Sequence, residues 1–221
     1  ADRQPEFTQI DLEMSFIEEE DIYQLIEGLI KHVWKKVLHI DIQAPFKRLT
    51  FHEAMLKYGS DKPDLRYGLE FADVTKIVGH SDFSVFKSVV DKKGVVLALN
   101  AKKSNFTRKD IDDLTAIAKM YKLPGLAWIR VTAGGKLESS IVKYLSDEIQ
   151  KQIITATQAE EGDVLFFAAD QFEKAANGLG QVRIEVAKRL KLIKEGEWKF
   201  CRVVDFPLYE FDEGSERWQA R

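Results

Sequence analysis

Over residues 6–16 apolar and polar positions alternate: Ile10, Leu12, Met14 and Phe16 fall on one side, and Gln9, Asp11, Glu13 and Ser15 on the other. A period of two predicts a half-buried strand with one polar face. Ile22, Leu25, Ile26, Leu29, Ile30, Val33 and Val37 then recur at helical spacing. Ser15 and Glu18 stand as a capping pair, acidic residues fill positions 18–21, and Lys31, Lys35 and Lys36 close the stretch. Together they predict an amphipathic helix packed on a sheet. A second capping pair, Thr50 with Glu53, opens a short helix through Lys57 that Gly59 can end in a left-handed conformation. Residues 59–64 follow as a polar loop, because Pro63 pushes Lys62 out of helical geometry and the aspartates favour turns.

Further along, residues 83–90 and 95–100 read as two strands joined by a hairpin turn at 91–94. Thr107 caps a helix carrying Ile111, Leu114, Ile117 and Tyr121, which Pro124 and Gly125 stop. Residues 126–132 predict a strand, Gly134 and Gly135 a turn, 141–158 a helix, 163–169 a strand, and 171–193 a helix containing Gly178 and Gly180. Residues 200–209 form a strand broken by Pro207. The order describes an α+β sandwich, a mainly antiparallel sheet with helices covering one face. The pattern divides into residues 1–69, an inserted domain at 70–192, and a return strand at 193–221.

Composition narrows the class. The chain has 221 residues, 45% hydrophobic and 31% charged, with one Cys and a net charge of −3. Those figures exclude disorder, a collagen-like fibre and a disulfide scaffold. They give no bulk basic field for phosphate-driven nucleic-acid binding, although a local basic patch is still allowed. No apolar run reaches the ~20 residues that cross a bilayer, so the expected setting is cytoplasmic, with no membrane partner. The ends read as cut: there is no initiator Met, and residues 216–221 stop without a cap or polar tail.

Candidate chemistry is concentrated on the first strand. Side chains on one face lie about 7 Å apart, so Gln9, Asp11 and Glu13 make a row of acceptors for an ammonium group, ribose hydroxyls, or a metal bridging phosphates. A solvated sheet face is the alternative. Poor strand formers in a strand pattern point toward a site. Arg3 and Gln4 stand where a loop enters that strand, and an arginine there suits phosphate or a nucleotide backbone. Asp61, Lys62 and Asp64 combine both charge signs in a rigid loop. The four His residues, 32, 39, 52 and 80, lack metal spacing. Neither Gly134-Gly135-Lys136 nor Gly178-Leu179-Gly180 sits in the context of a phosphate-binding loop. Those last glycines predict a kink or a close approach to the sheet. Cys201, among strand formers, reads as a half-buried structural thiol. No residue presents itself as a covalent catalyst, and no metal site follows.

Three segments resemble, in order and spacing, the bacterial-type aspartyl-tRNA synthetases of class II. They are Arg3-Gln4-Pro5-Glu6-Phe7-Thr8-Gln9-Ile10-Asp11, then Tyr58-Gly59-Ser60-Asp61-Lys62-Pro63-Asp64-Leu65-Arg66, then Asp205-Phe206-Pro207-Leu208-Tyr209-Glu210. The resemblance spans essentially the whole chain. It implies part of a class II antiparallel catalytic sheet, interrupted by the insert shared with the B subunit of the tRNA-dependent amidotransferase. It also implies ATP and Mg²⁺ as cofactors, with L-aspartate, ATP and tRNA as partners of an intact homodimer. By position, Gln4 and Gln9 would contact ATP, Asp11 would orient the substrate ammonium with Glu13 in the same charge network, and Arg3 would face the tRNA acceptor end. Aspartate would be activated to aspartyl-adenylate and its acyl group passed to tRNA, with charge stabilised on the phosphates. Only the middle of the family pattern is present, so this chain by itself is expected to neither form adenylate nor charge tRNA. The other reading makes the insert a non-catalytic tRNA- or protein-binding scaffold, with Lys102 and Lys103 near tRNA phosphates or merely solvated.

Overall fold

A computed structural model describes residues 5–212 and 214–220. The chain forms two compact units, one ending at Lys47 and one beginning at Arg48.

The first unit contains the alternating segment and helix α1 (Glu19–Val33). The expected half-buried strand is not formed: residues 7–14 carry no regular secondary structure and pair with no strand among the described residues, and they are exposed throughout, Phe7 at 72% and Ile10 at 75%. Alternation needs a neighbouring strand to become a sheet, and none of the described residues supplies one. The helix also starts later than the Ser15 pair suggests. Phe16 takes a left-handed backbone with φ 58°, and Glu18 becomes the cap, its amide donating to the Asp21 carboxylate at 2.9 Å. The last turns widen over Trp34–Leu38, and His39 ends them in a left-handed conformation.

The second unit runs β1 (Lys47–Thr50, from Arg48), α2 (Phe51–Tyr58), β2 (Phe71–Asp73), α3 (Thr75–Val78), α4 (Ser84–Asp91), β3 (Val95–Ala101), α5 (Arg108–Met120), β4 (Ala127–Val131), β5 (Leu137–Glu138), α6 (Asp147–Thr157), β6 (Val164–Asp170), α7 (Phe172–Arg189), β7 (Cys201–Val204), β8 (Tyr209–Asp212) and β9 (Arg217–Ala220). One sheet has the order β2-β3-β6-β4-β5, and every pairing in it is antiparallel. β1 pairs with β7, and β8 forms a hairpin with β9. The α+β class and the antiparallel sheet agree with the sequence.

The helices, however, cover both faces of that sheet rather than one. β3 and β6 are apolar at successive positions, and both are buried almost end to end, which only cover on two sides allows. Leu97, Leu99 and Phe166 pack with Ile111, Leu114, Leu179 and Val182 of α5 and α7. Val96, Ala98, Leu165 and Phe167 face Phe86, Ile149 and Ile153 of α4 and α6. At about 1.5–3 kcal/mol for each large apolar side chain buried, these two layers carry most of the unit's stability.

Residues 83–90, expected as a strand, form α4. Val85, Phe86, Val89 and Val90 fit a helical stripe as well as an apolar run, and length alone does not separate the two. The expected hairpin at 91–94 is the exit of that helix, where a side chain on Gly94 would collide with the Asp170 carbonyl. The helix expected from Ile141 begins only at Asp147, capped by Ser146 after a short turn at Val142–Tyr144. Thr50 and Thr107 cap their helices with reciprocal bonds from Glu53 and Asp110, as their spacing indicates.

Candidate functional site

Arg3 and Gln4 lie outside the described residues. Gln9, Asp11 and Glu13 all lie on that unpaired segment, exposed, and none of the three engages a partner among the described residues. No three His, Cys, Asp or Glu side chains among the described residues converge as metal ligands. Cys201 lies half-buried on β7.

A polar site built from many hydrogen bonds lies in the second unit and centres on the loop between α2 and β2. Gly59 caps α2 with φ 68°, its amide donating to the Met55 carbonyl at 3.0 Å. It packs directly on α7: a side chain at Gly59 would meet the Ala176 carbonyl, and one at Gly180 would meet the Gly59 carbonyl. The glycines inside α7 therefore serve a close approach, made by Gly180 to this loop and by Gly178 to Leu123, rather than a kink. Within the loop the Ser60 hydroxyl accepts from the Lys62 amide at 3.0 Å. Asp64 accepts from Arg66 through its backbone amide, Nε and Nη2, the last at 2.6 Å. That guanidinium contact holds the Asp64 carboxyl below the usual carboxylate range. Lys62 remains exposed.

Arg183, on α7, closes the other end of the loop. Only 2% exposed, it donates from Nε to the Leu69 carbonyl at 3.0 Å, from Nη1 to the Tyr67 hydroxyl at 3.1 Å, and from Nη2 to the carbonyls of Asp64 and Gly68. Its guanidinium carbon lies 4.9 Å from the centroid of the Tyr58 ring and 4.3 Å from that of Tyr67. Burial lowers its basicity, but a guanidinium stays charged at neutral pH. Desolvation, reinforced by a 2.7 Å hydrogen bond to Glu70 and by that carboxylate's charge, holds the Tyr58 phenol well above its ordinary range. Burial also raises Tyr67. One helix thus grips the loop at both ends, through Gly180 and through Arg183.

Sequence reasoning singled out the loop and missed its anchor. The available signal was a cation on the apolar stripe of α7, beside Leu179, Val182 and Val186.

The family model described as tRNA synthetases class II (D, K and N) matches residues 1–220. The chain belongs to that family. It is 50% identical over 217 residues to a Persephonella marina protein named aspartate–tRNA(Asp/Asn) ligase, covering 98% of this chain and 36% of that protein. A like-named Aquifex aeolicus protein is 47% identical over the same shares. A Ruminiclostridium cellulolyticum protein named aspartate–tRNA ligase is 43% identical over 100% of this chain and 37% of its own length. The chain therefore spans little more than a third of these relatives. No helix among the described residues is long and apolar enough to cross a membrane.

Proposed function

We propose that this chain is the central part of an aspartate–tRNA ligase, which activates L-aspartate with ATP to aspartyl-adenylate and passes the acyl group to tRNA in the cytoplasm. The observation that carries this is the joint presence of the 3–11 and 58–66 segments within a chain whose relatives bear that name over its whole length. In this reading residues 1–69 and 193–221 belong to the catalytic sheet, and 70–192 is the insert.

Gln4 and Gln9 contact ATP. Asp11 orients the substrate ammonium, Glu13 adds negative charge beside it, and Arg3 faces the tRNA end. Exposed, unpartnered acceptors at 9, 11 and 13 suit an ammonium donor, whose charge strengthens each bond it makes. Mg²⁺, when bound with ATP, neutralises phosphate charge. The intact enzyme works as a homodimer.

This chain alone neither forms adenylate nor charges tRNA, so aspartate-dependent ATP–pyrophosphate exchange should stay at the no-aspartate blank. Replacing the matching segment of the Persephonella marina protein with this chain should give exchange. In that chimera, Asp11→Ala should cut exchange by about 10²-fold or more. A folded chimera without exchange would overturn the ligase reading.

A second reading is favoured by the two-sided core of the five-stranded sheet: the insert also works as a scaffold that carries no chemistry. In the chimera, Lys102→Glu with Lys103→Glu should weaken tRNA binding and leave exchange unchanged.

A further inference from the structure

β5 is too short to cover the outer edge of β4. It pairs with Arg130 and Val131 and stops, whereas β6 pairs with β4 from Ala127 onward. The Val131 amide donates to the Asp163 carbonyl, beside β6, and the Thr132 amide to the Lys136 carbonyl, on the β5 side. Backbone groups alternate in direction along a strand, so Trp128 turns its N–H and C=O the way Thr132 does, toward the edge that β5 has left. In the register of β5 the residue opposite Trp128 would be Ser140. The chain turns away before it gets there: the Ser139 hydroxyl accepts from the Ile141 amide at 3.4 Å, and a short helical turn follows at Val142–Tyr144. Among the described residues nothing pairs with the Trp128 backbone on that side.

The gap is a hollow of about 340 Å³, walled by Phe83 and Phe86 from the start of α4 and by Phe167 of β6. Leu126 and Trp128 also border it, yet their side chains pack on the other face of the sheet, with the α5 and α7 layer. What these two residues give the hollow is therefore main chain.

An unpaired N–H and C=O on one strand residue match another main chain, and the aromatic walls beside them match an apolar side chain. A hydrocarbon would fill the walls and leave the backbone groups bare. A purely polar ligand would do the reverse.

We propose that this edge takes an extended peptide from a partner protein, laid antiparallel on β4, like every other pairing in the sheet, in the place that β5 vacates. The peptide residue opposite Trp128 exchanges two backbone bonds with it and turns its side chain to the Trp128 face, because directly opposed residues share a face. The next peptide residue therefore enters the hollow, and it is large and apolar. The site rests on the second unit alone and does not depend on the ligase reading.

The test titrates the ¹⁵N-labelled 221-residue chain with acetyl-Lys-Thr-Phe-Thr-Lys-amide, whose Phe enters the hollow while a neighbouring Thr pairs with Trp128. In the free chain the Trp128 amide should exchange quickly beside a protected Ile129. With peptide bound it should shift downfield and exchange about tenfold more slowly or better, and the amides of Val85 and Ile141 should shift with it. Methylating both threonine nitrogens removes the donors and keeps the ring, and should weaken binding about tenfold or more, as should Ser in place of Phe. Val85 borders the hollow and is 48% exposed, so Val85→Glu brings a charge to it without disturbing the core and should weaken binding equally. The proposal fails if millimolar peptide moves none of these amides, if the N-methylated peptide binds as well as its parent, or if a folded Val85→Glu variant binds as before. Protection of the Trp128 amide that rises with protein concentration would give the edge to a second copy of this chain, and would overturn the peptide assignment.

Discussion

Arg183 carries a full charge in the interior with no carboxylate in contact among the described residues, satisfied by three carbonyls, a phenol hydroxyl and two ring faces. A lysine has neither the fork nor the plane to repeat that arrangement. Arg183→Met should therefore cost about 3 kcal/mol of unfolding free energy or more, and Arg183→Lys should recover less than half of it, as read from urea midpoints. The same cluster sets a pH dependence. Tyr58 has a raised pKa, so its contribution is complete below about pH 10 and is lost as pH rises toward the folded-state value. Asp64 has a lowered pKa, so its contribution is present above about pH 4 and is lost as pH falls toward its folded-state value. Tyr58→Phe should flatten the alkaline limb of the stability curve and Asp64→Asn the acid limb; a limb left unchanged in either variant would remove that residue from the account. The loop's own chemistry was legible, because Pro63 and the aspartates act locally. Its anchor was not, because the bonds from Arg183 to the loop span more than a hundred residues.

Elements were legible where two local signals agreed. Thr50 with Glu53 and Thr107 with Asp110 mark helix starts by cap chemistry and by the stripes that follow, and both helices begin there. β3 and β6 declare themselves by continuous apolar runs that each follow a glycine turn, at Gly94 and Gly162. Those same runs also indicate cover on both faces, which the one-sided expectation overlooked. α4 was misread because its valines suit a strand and its eight residues are too few for the helical period to stand out. The helical glycines, likewise, acquire their meaning only from what packs on them. Gly180→Ala places a methyl against the Gly59 carbonyl and should destabilise by about 1–3 kcal/mol. Gly28, exposed inside α1 with nothing near its missing side chain, should behave oppositely: Gly28→Ala should stabilise α1 by about 0.5–1 kcal/mol. Differential scanning calorimetry on the pair separates close packing from mere helix propensity, since a shared sign would refute it.

At the scale of the whole molecule the two units differ in kind. Among the described residues up to Lys47 only Glu27 and Ile42 are buried, and Glu27 is occupied by accepting from the Phe46 amide at 3.2 Å. From Arg48 onward the sheet is sealed on both faces by α5 and α7 on one side and α4 and α6 on the other. The residues proposed for ATP (Gln9) and for aspartate (Asp11 and Glu13) thus sit on backbone with no ladder of its own. Amide protection tracks ladder hydrogen bonds and burial. Amides of Leu97, Leu99, Leu165 and Phe167 should therefore exchange only through global unfolding, at a free energy matching that from urea denaturation. Amides of residues 7–14 should exchange near the unprotected rate under the same conditions. Global-level protection of Ile10 and Leu12 in the isolated chain would mean that the alternating segment finds a partner strand, and would restore to it the half-buried face that its period of two implies.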